Sequence, residues 1–182
     1  MDGVELRLLE ERHAEKVYAA VDRNRVHLRR WMPWVDASRS ADDVRAFIGR
    51  SLKRFAEHGF FQAGIWDGDE AVGVIGFHDP SEINHYISLG YWLDERRQGR
   101  GIMTRATAAL VEFALIERGL HRVEIRAAPE NARSRAIPIR LGFKEEGVLR
   151  QDEFLYDHYK DSVVYGMLAG EWNALRDKSG RS

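Results

Sequence analysis

The spacing of apolar residues changes several times along the chain, and each change marks an element. Val4 to Leu9 alternates apolar and charged residues, the two-residue period of a half-buried strand. From His13 to about Val26 the period lengthens, with Ala14, Val17, Tyr18 and Val21 at helical spacing. The segment Leu28-Arg29-Arg30-Trp31-Met32-Pro33-Trp34-Val35 follows, and Pro33, which lacks an N–H, should break any helix there. Ser40 with Asp43 three residues on has the form of a capping box, with Asp in place of Glu or Gln. It opens a helix carrying Val44, Phe47, Ile48, Ser51, Leu52 and Phe55, which Gly59 ends.

Phe60 to Trp66 and Ala71 to Phe77 read as two strands joined by the turn signal Asp67-Gly68-Asp69. His85 to Asp94 is a third strand, with Ile87, Leu89, Tyr91 and Leu93 on one face. A Gly-rich turn leads into a helix from about Ile102 to Glu117, stopped by Gly119. Leu120 to Ala127 is a strand, and Asn131 starts a short helix that contains Pro138 and ends at Gly142. Phe143 to Leu149 and Ser162 to Leu168 read as final antiparallel strands around a polar, aromatic connection. Residues past Trp172 are polar and are expected to fray. The predicted order is β-α-α-β-β-β-α-β-α-β-β, an α/β (α+β) arrangement in one domain over residues 1–182.

Composition narrows the chemistry. Hydrophobic residues make up 44% and charged residues 31%, values of an ordinary globular domain. No apolar run approaches the length of a transmembrane helix, so no membrane association is expected. The acidic start Met1-Asp2-Gly3-Val4-Glu5 lacks the basic and apolar regions of a secretion signal. Cysteine is absent, which removes disulfides, thiolate metal sites and a Cys nucleophile and is compatible with a cytoplasmic protein. A net charge of −1 gives no overall reason to bind nucleic acid, and the seven scattered histidines form no His-x-x-x-His metal pair.

The candidate chemistry centres on Arg96-Arg97-Gln98-Gly99-Arg100-Gly101, between a strand and a helix. Such a turn directs successive N–H groups outward at a helix N-terminus, where the dipole also favours an anion. The glycines permit positive φ and close approach of a phosphate to the main chain. A P-loop would need Gly followed by Lys and then Ser or Thr, and no Lys is present. A dinucleotide fingerprint would need glycine at 104, where Thr104 stands. A plain structural turn stays open on this segment alone.

The segment fits the pattern Arg or Gln-x-x-Gly-x-Gly or Ala and so resembles the coenzyme A pyrophosphate motif of the GNAT acetyltransferases. Leu89-Gly90-Tyr91-Trp92-Leu93 precedes it and Gly101-Ile102-Met103-Thr104 follows. Glu130-Asn131-Ala132-Arg133-Ser134 and Leu141-Gly142-Phe143 stand where that family has its second motif. Gly90-Tyr91-Trp92-Leu93, Gln98-Gly99-Arg100-Gly101-Ile102, Asn131-x-x-Ser134 and Gln151-Asp152-Glu153-Phe154-Leu155-Tyr156-Asp157 are more narrowly similar to the Rim-type ribosomal-protein-serine N-acetyltransferases. The resemblance implies a GNAT fold: a mixed, mostly antiparallel twisted sheet of about seven strands with about four helices and a splayed parallel pair in the middle.

The same resemblance implies acetyl-CoA as co-substrate, no metal, and an acceptor amine, foremost the N-terminus of a ribosomal or other protein, with a small amine, antibiotic or peptide toxin as the alternative acceptor and a non-catalytic acyl-CoA-binding module as the alternative of another class. A homodimer is compatible with it. The coenzyme would be held by Trp92 and Leu93, by the amides from Arg97 through Gln98, Gly99 and Arg100 to Gly101, by Ile102, Met103 and Thr104, and by Asn131 and Ser134. Ser134 would donate a proton to the departing thiolate, and Glu153 would be the base. Each has a plainer reading: Asn131 as helix cap, Ser134 as the third residue of the capped helix, Glu153 as an exposed carboxylate. Trp31 and Trp34 fall where the family places its acceptor loop, or else pack a core. Tyr156 and His158 are assigned to the same acceptor side.

Overall fold

The computed structural model describes residues 3–179. Seven strands, β1 (Val4–Leu8), β2 (Gln62–Asp67), β3 (Glu70–Ser81), β4 (Tyr86–Leu93), β5 (Arg122–Ala127), β6 (Lys144–Leu155) and β7 (His158–Leu168), join in the order β1-β2-β3-β4-β5-β7-β6. The chain falls into two units, and β3 and β4 run through both. One unit comprises the residues up to Phe77 with Tyr91–Met103, and the other His78–Gly90 with Thr104 onward.

In the first unit β1 and β2 pair antiparallel from Val4↔Asp67 to Leu8↔Ala63, and β2 turns back into β3 through Gly68, whose φ of +60° suits a tight hairpin turn. Helix α1 (Ala14–Arg23) buries Ala14, Val17, Ala20 and Val21, and α2 (Arg25–Arg29) buries Leu28. Helix α3 (Ala41–His58) buries Val44, Ile48 and Ser51, one stripe at i, i+4 and i+7. These faces meet Leu9, Trp66, Ala71, Val74 and Trp92 in one cluster, with Tyr18, Met32, Trp34, Phe47 and Leu52 packed against it. The predicted ends of α3 both appear. Ser40 Oγ accepts from Asp43 N at 3.2 Å, and Gly59 closes the helix at φ +74° with its N–H on Phe55 O. The Asp43 carboxylate in turn accepts from Arg39 N at 2.9 Å and from Ser40 Oγ at 3.0 Å.

In the second unit β4 and β5 run parallel from Tyr86↔Arg122 to Leu89↔Ile125. A parallel pair needs a crossover, here made by α4 (Ile102–Glu112). Its predicted last turn widens into a π-helical turn over Phe113–Glu117, where Arg118 N donates to Phe113 O, and Gly119 ends it at φ +65°. Helix α5 (Ala132–Arg140) follows β5, and β7 pairs antiparallel with β5 from Arg122↔Leu168 to Ala127↔Val163.

The structure corrects three readings. The polar connection expected over residues 150–161 is strand: β6 and β7 pair to their tip, and only Tyr156-Asp157 form the turn. The tail expected to fray past Trp172 belongs to α6 (Ala169–Ser179) through Ser179, and its last three positions lie outside the described residues. It is fastened by Trp172 Nε1 donating to Glu112 at 2.6 Å and by an Arg176–Glu112 ion pair at 3.0 Å, partners 60 and 64 residues away in sequence. With α2 and α6, the described residues hold six α-helices against about four expected. The seven-stranded mixed sheet with a parallel pair in its middle is as expected. No helix among the described residues is long and apolar enough to cross a membrane.

Ser40→Ala removes the α3 cap and should cost about 1 kcal/mol. For a chain of this length the melting temperature should fall by roughly 2–4 °C, read by circular dichroism.

Candidate active site

β4 ends at Trp92 and Leu93, both buried. Gly73 faces them on β3, where a Cβ would lie 2.5 Å from Trp92 O, so a side chain there would push the strands apart. Asp94, only 3% exposed, is the first residue beyond the strand. Its N–H donates to Val72 O at 2.7 Å. Its carboxylate accepts from Arg23 Nε at 2.7 Å and from Arg96 N at 2.9 Å. Burial alone would raise the Asp94 pKa. The hydrogen bonds from Arg23, Asn24 and the Arg96 amide, together with the Arg23 charge, outweigh it and hold the carboxyl below its ordinary 3.8.

A 3₁₀ turn over Glu95–Arg97 follows, then extended Gln98, then Gly99 at φ +77° and Gly101 at φ +71° before α4 begins. A Cβ at Gly99 would meet nothing within 4 Å, so only the left-handed backbone asks for glycine there. The expected anion cradle is shorter than the motif suggests. Arg97 N already donates to Asp94 O at 2.9 Å and Gln98 N to Glu95 O at 3.3 Å, which leaves the amides from Gly99 onward. The Arg97 guanidinium is committed too, to Asp67 at 2.7 Å and Glu70 at 2.9 Å. Gln98 Nε2 lies 3.0 Å from His27 Nε2, and Arg100 is exposed. Ile102 and Met103 are buried, so they offer an anion main chain rather than side chain.

Trp34 is half-buried against the core of the first unit, its ring 6.3 Å from that of Trp92 and tilted by 50°. Trp34 thus packs against the core while part of its ring stays exposed. Trp31 is half-exposed, with the Arg30 guanidinium 5.4 Å from its ring centre.

In the second unit Thr104 sits half-buried on the first turn of α4. Asn131 is the cap of α5: its Oδ1 accepts from Ser134 N at 3.1 Å. That bond brings together two of the residues singled out from sequence and fixes Ser134 in the first helical turn. Arg135 holds the same turn from behind, donating to Pro129 O at 3.0 Å and to Tyr165 Oη at 2.8 Å, while Tyr165 Oη donates to Glu145 at 3.1 Å. Glu153 lies on β6 opposite Lys160, whose ammonium is 2.6 Å from its carboxylate. Between Leu149↔Ser162 and Glu153↔Lys160, three residues of β6 oppose Asp161 alone. Gln151 takes φ +53° in this bulge, and its N–H donates to Asp161 Oδ1 at 2.8 Å. Tyr156 turns the hairpin at φ +62°, and exposed His158 lies 2.7 Å from Asp157.

Sequence reasoning missed the supports. Asp94 carries a local signal, a charged residue ending an apolar strand ahead of a turn, but Arg23 and Asn24 lie 70 or more residues upstream with nothing nearby to mark them. Arg135 reads in sequence as one more surface arginine. Its partner Tyr165 is a fully buried residue on β7.

A family model described as "Acetyltransferase (GNAT) domain" matches residues 4–144. The ribosomal-protein-serine acetyltransferase of Escherichia coli (strain K12) is 30% identical over 167 residues, 92% of this chain and 93% of that protein. The solved structure of RimL, a ribosomal L7/L12 alpha-N-protein acetyltransferase, in complex with coenzyme A superposes with a TM-score of 0.87 at 27% identity, covering 94% of this chain and 97% of that one. The microcin C7 self-immunity acetyltransferase MccE, solved with acetyl-CoA and AMP, gives 0.86 at 27% identity, covering 92% and 93%.

The depressed Asp94 pKa makes a signed prediction. Its stabilisation is complete above the ordinary 3.8 and is lost as pH falls through the lower folded-state value. Asp94→Asn should be less stable at pH 7 by about 1.5–3 kcal/mol, the worth of hydrogen bonds to a charged group. The gap to the wild-type protein should narrow below about pH 4, as melting curves across pH will report.

Proposed function

The chain belongs to the GNAT acetyltransferase family, and on that footing we propose that it moves the acetyl group of acetyl-CoA directly onto the N-terminal α-amine of a ribosomal protein. The observation that carries the coenzyme half of this reading is the turn after β4. Two left-handed glycines, open space at Gly99 and the start of an eleven-residue helix suit a pyrophosphate seated on the amides of residues 99 to 103. The acceptor half is supported by the relatives: RimL is an alpha-N-protein acetyltransferase, and the Escherichia coli protein acts on a ribosomal-protein serine.

The main chain at Trp92 and Leu93 would polarise the thioester carbonyl, a task for an N–H rather than for their buried side chains. Ser134, held by the Asn131 cap, would donate its hydroxyl proton to the departing thiolate. Thiols have a pKa near ~8.5, so this assistance is modest. Glu153, directly or through a water, would accept the proton that the attacking amine loses. The Lys160 ammonium, 2.6 Å from its carboxylate, orients Glu153. A mild base suffices for an α-amine: at pKa ~7.8 about a seventh is neutral at pH 7, against about 0.04% for a lysine at ~10.4, a gap of roughly 3.5 kcal/mol. Direct transfer fits a chain with no cysteine and no Gly-x-Ser-x-Gly elbow. Trp31, Tyr156 and His158 are assigned to the acceptor side.

A second acceptor class, a small amine, antibiotic or peptide-like toxin, is kept in view by the equally close superposition on MccE. Thiol release from acetyl-CoA separates the two. Turnover with Ser-initiated peptides supports the ribosomal acceptor, whereas inert peptides beside a rapidly acetylated small amine would sink it. Gly99→Glu, which brings a carboxylate and a strained left-handed side chain to the turn, should weaken coenzyme A binding by at least about tenfold in calorimetry. Glu153→Gln should lower turnover more at pH 6 than at pH 9, since the amine already loses its proton to solvent at high pH. A uniform loss across pH would assign Glu153 to positioning.

A further inference from the structure

A Cβ at Gly99 would meet nothing within 4 Å, so packing at that glycine does not fix the Gly99–Gly101 turn. The turn is held at both of its ends. The far end is held by buried Ile102 and Met103. The near end is held by α1 and α2. Arg23 Nε donates to the buried Asp94 carboxylate at 2.7 Å, while Arg23 Nη2 donates to Ala71 O at 2.7 Å and lies 3.0 Å from Glu70. Asn24, itself buried, accepts from Glu95 N at 3.0 Å through Oδ1 and donates to Ala20 O at 2.8 Å through Nδ2. His27 meets Gln98 at 3.0 Å. Three residues within five positions thus fasten successive points of the turn.

We propose that Arg23, with Asn24 beside it, is the positioning residue of the coenzyme pyrophosphate site, fixing the geometry of the turn through Asp94 while touching no ligand itself. Two effects follow from its chemistry. First, its forked guanidinium ties the strand end, β3 and the turn into one frame, which a monodentate side chain does not reproduce. Second, it balances charge. In these pairs Asp67, Glu70 and Asp94 share Arg23 and Arg97, so losing Arg23 leaves three carboxylates beside one arginine next to the seat of a polyanion. Both effects weaken a ligand that carries pyrophosphate and spare one that lacks it.

The inference rests on the reading of the turn as the pyrophosphate site, and the test separates the two. Dissociation constants for coenzyme A and for pantetheine, which has the thiol arm without the pyrophosphate, are measured by calorimetry and competition for the wild-type protein, Arg23→Gln and Lys16→Gln. Lys16 forms the neighbouring ion pair with Asp69, 2.5 Å away, and serves as the control. The expected result is that Arg23→Gln reduces the preference for coenzyme A over pantetheine by about tenfold or more. Lys16→Gln should keep the wild-type ratio, and kcat for Arg23→Gln at saturating acetyl-CoA should be retained within about twofold. A general loss of fold weakens both ligands together and leaves the ratio unchanged, and an unchanged ratio in Arg23→Gln overturns the proposal. A wild-type protein that binds both ligands equally well would instead overturn the pyrophosphate reading, and this inference with it.

Discussion

A carboxylate taken out of water keeps its charge only where hydrogen bonds and an opposite charge replace the solvent. Asp94 meets that condition at the end of β4, and much of the local architecture follows from it. Arg23 has to stand at the end of α1, Asn24 has to leave the helix there, and β3 has to come close enough for the Ala71 and Val72 carbonyls to complete the set. Gly73 is part of the same constraint, because it lets β3 approach the main chain of Trp92. The turn that follows begins from an immobile point.

The second unit solves a similar problem with a different set of parts. Ser134 gets its place from the Asn131 cap, and the cap gets its stiffness from Arg135, whose bonds run to a backbone carbonyl and to a fully buried tyrosine hydroxyl. Both units therefore follow one pattern. A polar residue ahead of or within the first turn of a helix is steadied by an arginine whose own charge is already satisfied within the protein.

What could be read from the sequence divides along the range of the interactions. The caps at Ser40 and Asn131, the stop at Gly59, the hairpin at Gly68 and the positive φ of Gly99 and Gly101 are decided within a few residues, and the residue types alone point to them. The misread parts depend on distant partners. Helix α6 looks like a polar tail because its anchor, Glu112, lies on α4. The β6–β7 hairpin looks like a loop because its polar residues are satisfied across the strands and at the bulge rather than along them. The turn after β4 shows the same limit: the motif gives the glycines, but only the 3₁₀ turn shows that the amides of Arg97 and Gln98 already have backbone partners.

The bulges of β6 have a bearing on the fate of the chain in a crowded solution. β6 is an outer strand of the sheet, and such a strand ordinarily offers its unpaired peptide groups as a template for any extended chain it meets. Here the ladder slips by one residue near Glu146 and by two across Arg150, Gln151 and Asp152, and the strand carries Lys144, Glu145, Glu146 and Arg150 along the same edge. An incoming strand would find its register interrupted twice and charges at the interruptions. The irregularity that precedes Glu153 thus also guards the protein against open-ended strand addition and aggregation.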